Sequence, residues 1–138
     1  MKQPEEVKRE FTRQWLEKAE GDYKTSGHLL PAGKEHLEAV TFHSQQASEK
    51  YLKALLVWHQ IEFPKTHDLD LLLKLVSSRE PELATSLADA GILTPYGVEY
   101  RYPGEYPDVT MDEAQKAFEI AGRVRKVILK RLPHDILS

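Results

Sequence analysis

From Lys34 to His59 no proline or glycine interrupts the chain, and apolar residues recur three or four apart. They are Leu37, Val40, Ala47, Tyr51, Ala54, Leu55 and Trp58, with Ser44 in the one polar gap. Side chains at that spacing share one face of an α-helix. A long amphipathic helix must bury its stripe, and here the neighbours that can cover it are themselves helical. Glu5 to about Leu30 sets Val7, Phe11, Trp15, Ala19 and Tyr23 at four-residue steps, which predicts a second long helix. Gly21 and Gly27 weaken it, and Pro31-Ala32-Gly33 ends it.

After Pro64 breaks the chain, Thr66 or His67 is placed to cap a shorter helix carrying Leu69, Leu72, Leu73 and Val76. Pro81, tolerated in a first turn, opens a fourth helix with Leu83, Leu87 and Ala90, closed by Gly91. Residues 92–109 hold Pro95, Gly97, Pro103, Gly104 and Pro107 among four tyrosines and fit no regular element. Thr110 and Glu113 have the spacing of a capping box. The helix they start buries Ala114, Ala117, Ala121, Val124, Ile128 and Leu132 and stops at Pro133. No alternating strand pattern occurs. The expectation is an all-α, up-and-down helical bundle of about five helices, two of them long, forming a single domain over residues 1–138.

Composition narrows the function classes. Apolar residues make up 41% and charged residues 30%, as in a globular protein with one core. With no cysteine, disulfides, thiolate metal sites and cysteine nucleophiles are excluded. No signal peptide or membrane-length apolar run is visible, so the expected compartment is the cytoplasm. The net charge of -3 is unlike that of a protein that holds nucleic acid through its total charge. It hides an asymmetry: residues 79–113 carry two cations and eight anions, residues 114–138 six cations and two anions. Such patches either steer a partner or form ordinary solvated faces.

Three places carry candidate chemistry. His43, Gln46, Lys50 and Lys53 follow one another at helical steps with Glu49 beside them, a polar ridge flanking the apolar stripe. Lysine suits a phosphate, and glutamine offers a donor and an acceptor to a base or ribose. The plainer alternative is a solvated face with Glu49–Lys53 as a helical ion pair. His67, at a helix start, has the chemistry of a general acid or base, or merely decorates a capped first turn. Tyr100-Arg101-Tyr102-Pro103 holds the only cation between Arg79 and Lys116. Its guanidinium suits a phosphate and a tyrosine suits a base, or the arginine pairs with Glu99 or Glu105 under a tyrosine lid. HExxH, the phosphate-cradling glycine loop and G-x-S-x-G are absent. His36 and His43 stand two helical turns apart, so no metal and no cofactor is implied.

In order along the chain, these residues resemble the HEPN family of small helical bundles. The helix Gln46-Ala47-Ser48-Glu49-Lys50-Tyr51-Leu52-Lys53-Ala54-Leu55-Leu56 is similar to the family's Q-A-x-E-K-x-x-K-A-L-L. Thr66-His67-Asp68-Leu69 with Leu72-Leu73, then Arg101-Tyr102-Pro103, and Trp15-x-x-x-Ala19-x-x-Asp22 complete the likeness. The resemblance implies a bundle, frequently dimeric, associated with nucleotide binding and often paired with a minimal nucleotidyltransferase in toxin–antitoxin-type systems. Many family members are metal-independent ribonucleases with an arginine followed, after four to six residues, by a histidine. No histidine here has an arginine at that distance.

Three functions follow as expectations. The first is a nucleotide-binding module, a homodimer or the partner of a nucleotidyltransferase, with Gln46, Glu49, Lys50, Lys53, His67, Arg101 and Tyr102 around the ligand. The second is a ribonuclease toxin with His67 and Arg101 as a non-standard catalytic pair acting on RNA. The third is a dimeric interaction scaffold without catalysis.

Overall fold

The computed structural model describes residues 3–98 and 104–138. Its α-helices are α1 (Pro4–Leu29), α2 (Leu37–Trp58), α3 (Leu69–Ser77), α4 (Pro81–Ser86) and α5 (Met111–Lys130), with no strand among the described residues. Short 3-10 turns, Leu30–Ala32 and Lys34–His36, join α1 to α2, and a longer 3-10 segment, Ala88–Gly97, follows α4. No helix among the described residues is long and apolar enough to cross a membrane.

α2 is the central element. Its expected stripe is buried apart from Trp58 at its end, and so are Leu52, Leu56, Gln45, Ser48, Glu49 and Lys53 on its other sides. α1 covers it most extensively, α5 next, and the Ala88–Gly97 segment and α3 close the remaining flank. Between its first and last turns, a strip through Phe42, His43, Gln46 and Lys50 stays partly open. α1 approaches α2 closely where its side chains are small. There Ser26 Oγ donates to Val40 O at 2.9 Å and lies 2.7 Å from Ser44 Oγ.

This close approach corrects the face expected for α1. Its buried residues are Thr12, Leu16, Ala19 and Ser26, whereas Phe11 is 52% exposed. A strict four-residue step overshoots the helical turn, so Val7 to Tyr23 sweeps about 160° around the axis. Ala19 is the one member of that series fully in the contact; Val7, Trp15 and Tyr23 are half-buried at its margins.

Two further boundaries differ. The cap of α3 is Asp68, whose carboxylate accepts from the backbone N–H groups of Asp70 and Leu71, while Thr66 Oγ1 accepts from Asp68 N–H. Leu69 decides the register, because its buried side chain and its N–H, donated to Thr94 Oγ1 at 3.1 Å, fix where the helix begins. Asp68→Ala should therefore cost about 1 kcal/mol, read as a lower urea midpoint with an unchanged slope, and Thr66→Ala clearly less. The fourth helix ends at Ser86 rather than Gly91. The chain then continues as 3-10 through Gly97 and past Pro95, so residues 92–97 of the stretch expected to be irregular are regular. A 3-10 segment accommodates this proline because its missing N–H removes one bond from a short, weakly bonded ladder.

The capping box of α5 is present, with Thr110 and Glu113 bonded reciprocally, and all six residues expected in its core face are buried. Its cations tie the bundle together. Arg125 donates to Glu20 on α1, Arg123 to Asp89, and Arg131 pairs with Glu80 at 3.0 Å.

Candidate functional site

The open strip of α2 is bordered by two carboxylates, each holding a histidine. On the α1 side, Asp22 Oδ1 accepts from His43 Nδ1 at 2.8 Å, and Asp22 Oδ2 accepts from Lys50 Nζ. On the α3 side, Glu49 Oε1 accepts from His67 Nδ1 at 2.7 Å and Glu49 Oε2 from Lys53 Nζ at 2.9 Å. Helix geometry explains the split. His43 and Lys50 are two turns apart and point the same way, towards α1, whereas Glu49 points about 100° away towards the chain that follows Pro64.

The two borders differ in depth. The side chains of Glu49 and Lys53 are 3% and 7% exposed, so the pair is buried rather than solvated as a surface helical pair would be. Aromatic rings cover it: Lys53 Nζ lies 5.2 Å from the Trp15 ring centroid and 5.8 Å from that of Phe63, and the two rings meet edge-on at 6.1 Å. A cation against ring faces is attracted by their quadrupoles, most strongly away from water. His67, in contrast, keeps two-thirds of its side chain exposed, so its Nδ1 is anchored while the rest of the ring faces outward.

Gln45 and Gln46 connect the borders. Gln45, fully buried, donates from Nε2 to Glu49 Oε1 at 3.2 Å and to His67 O at 3.0 Å, tying α2 to the turn that carries the imidazole. Its Oε1 accepts from Gln46 Nε2 at 2.7 Å. The Ala88–Gly97 segment ends against the same amide. A Cβ on Gly97 would fall 2.8–3.0 Å from the Gln45 carboxamide, so only glycine fits this approach without displacing it.

Of the residues singled out in the sequence, Gln46 therefore lies on the open strip, Lys50 on its α1 border, and Glu49, Lys53 and His67 on its α3 border, where Glu49 and Lys53 are buried. Arg101 and Tyr102 lie outside the described residues. Lys50 and Lys53, chosen as phosphate ligands, are each bonded to a carboxylate. Sequence reasoning gave no role to Asp22, Gln45 or the Trp15–Phe63 pair. The signal for Asp22 was present in Trp15-x-x-x-Ala19-x-x-Asp22, which places it on the α1 flank that carries Trp15. Among the described residues, no group of three or more carboxylate or imidazole side chains is placed to hold a metal.

Residues 12–132 match the model of the HEPN domain family, nearly the whole chain. The chain belongs to the HEPN family. Among solved structures this HEPN chain is similar to TT1696 from Thermus thermophilus, with 25% identity and a TM-score of 0.69 over 88% of this chain and 98% of that one. It is also similar in fold to ST0689, an archaeal HEPN homologue, with 21% identity and a TM-score of 0.65 over 87% of this chain and 96% of that one. No curated protein matches it. The helical bundle expected from the sequence is thus the HEPN fold, and its family-like motif Gln46 to Leu56 forms half of the central helix α2.

Proposed function

We propose that this HEPN chain is a nucleotide-binding module, working as a homodimer or beside a minimal nucleotidyltransferase in a toxin–antitoxin-type pair. The observation that carries the reading is the open strip of α2. Gln46 lies there between two imidazoles, each with its Nδ1 fixed on a carboxylate and its Nε2 left for a ligand. Fixed polar groups on an otherwise covered helix suit a small polar ligand better than a broad contact surface does. Calorimetric titration with ATP, GTP and their diphosphates tests it. Saturable heat at millimolar nucleotide or below, weakened severalfold in Gln46→Ala, is expected; no heat with any of them overturns it.

A second reading, a metal-independent ribonuclease, draws on His67. An imidazole whose Nδ1–H is held by a carboxylate presents the basic Nε2 to a ribose hydroxyl, the arrangement that general-base catalysis uses. In this reading Arg101 stabilises the developing phosphorane charge. Cleavage of labelled RNA, abolished in both His67→Ala and Arg101→Ala, is the required result. Cleavage unchanged in both variants rules it out.

A further inference from the structure

The open strip of α2 carries one large apolar side chain that the core does not use. Phe42 is half-buried, and among the described residues it packs against neither of the two clusters of buried apolar side chains. Its ring meets the His43 imidazole edge-on at 5.2 Å, and His43 is itself tied to Asp22. A ring placed in this way contributes little to the fold. It does offer a π-face on which another planar ring can stack.

Gln46 and Lys50 follow Phe42 at successive turns of α2. Four-residue steps keep the three on the open side, with Gln46 about 6 Å and Lys50 about 12 Å from Phe42 along the helix axis. Gln46 donates one N–H to Gln45 Oε1 and keeps its other N–H and its Oε1 for a hydrogen-bonding edge. Lys50 gives one hydrogen of its ammonium to Asp22 and, among the described residues, keeps two. Its side chain is 21% exposed against 13% for Asp22, so the ammonium is the more accessible of the pair. Lys53 is closed off beneath Trp15 and Phe63 and offers a ligand nothing comparable. Along α2 the strip thus passes from an aromatic ring through an amide to an available ammonium.

We propose that a bound nucleotide lies lengthwise along α2, with its base stacked on Phe42, an edge of the base on Gln46 and its phosphates at Lys50. The order of groups matches the ligand, in which base, ribose and phosphates also follow one another. Stacking on Phe42 tolerates any base, so this residue contributes affinity without choosing among bases. Asp22 is a positioning residue that holds the Lys50 ammonium at the α1 border. The inference rests on the nucleotide-binding reading and adds to it a direction for the ligand and a residue, Phe42, that the sequence did not single out.

Calorimetric titration of the full chain and its variants over a range of salt concentrations reads the two ends separately, using whichever of ATP and GTP the parent binds more tightly. Phe42→Leu keeps an apolar side chain but removes the π-face. Its binding should weaken about fivefold or more, the scale of one stacked base, with the salt dependence unchanged. Phe42→Trp should bind at least as tightly as the parent. Lys50→Gln should weaken binding at low salt and flatten its decline with added salt, because the exposed charge that salt screens is gone. An affinity unchanged in Phe42→Leu overturns the placement of the base, and a salt dependence unchanged in Lys50→Gln overturns that of the phosphates. Either result leaves nucleotide binding standing. A flattened salt response in both variants means that the two residues do not mark separate ends, and overturns the lengthwise orientation. No binding of either nucleotide by the parent overturns the inference together with the reading beneath it. Phe42→Leu should unfold at the parent temperature, since neither buried cluster rests on Phe42; a clearly lower temperature assigns the ring to the core and overturns its role.

Discussion

Glu49→Ala is expected to unfold at a temperature lower by roughly 10 °C or more, a loss of about 3–5 kcal/mol. The side chain removed is the shared acceptor of Lys53, His67 and Gln45. Most of the cost comes from Lys53, which is left as an unpaired charge with 7% exposure beside Trp15 and Phe63. The double variant Glu49→Leu with Lys53→Met should recover more than half of the lost stability. It removes the stranded charge, and the methionine fills the slot between the two rings where the lysine stem lay. Thermal and urea unfolding of the three chains measure this. A single variant within about 1 kcal/mol of the parent would mean that water reaches Lys53 and that the pair behaves as a surface pair. The functional consequence is separable, since both variants also release the His67 ring from its anchor. Ligand binding should therefore stay impaired in the double variant although its stability returns.

The same residue marks the boundary of what the sequence makes legible. α2 is readable because nothing interrupts it and its period is unmistakable, and the capping box of α5 is readable because both partners lie within one turn. The grouping of Gln46, Glu49, Lys53 and His67 follows from helical spacing and from the helix start after Pro64. What spacing does not carry is depth. Glu49 and Lys53 sit at positions a surface helix would leave in water, and only the arrival of Trp15 from α1 and Phe63 from the following loop buries them.

The reading of α1 fails for a related reason. Its large apolar residues mark a flank, while the contact itself is made largely by Ala19, Thr12 and Ser26, whose small size lets the helices approach. At the start of α3, three consecutive polar residues can each cap. The choice of Asp68 is made by the burial of Leu69 and by Thr94, twenty-five residues beyond Leu69. Asp22 and Gln45 are hidden in the same manner: their chemistry is ordinary until a distant His43 or His67 is brought to them.

Acid should weaken this fold through Glu20, which joins α1 to α2 and α5. Its carboxylate accepts from Tyr51 Oη at 2.6 Å and from Arg125 Nε at 2.6 Å. Burial pushes the Glu20 carboxyl up, but the hydrogen bonds from Arg125 and Tyr51 outweigh it and hold the group below its ordinary value of 4.5. Burial, followed by the hydrogen bond to Glu20, drives the Tyr51 phenol upward, so Tyr51 remains a donor throughout the range in which Glu20 titrates. Because the folded value lies below the unfolded one, the unfolded chain takes up the proton first. The contribution of Glu20 is complete above about pH 4.5 and is lost as the pH falls through the folded value.

Glu20→Gln keeps an acceptor for Tyr51 but no charge for Arg125, and should cost about 1–3 kcal/mol at pH 7. The gap between parent and variant, from urea unfolding at pH 7, 5 and 3.5, should hold between the first two and narrow at the third. Asp135, held below its ordinary value by the hydrogen bond from Arg9, also weakens the fold in acid, but it does so equally in both chains and cancels from the difference. A gap that stays constant down to pH 3.5 would mean that the folded and unfolded chains take up the Glu20 proton alike, so that Arg125 and Tyr51 do not hold this carboxyl below its ordinary value.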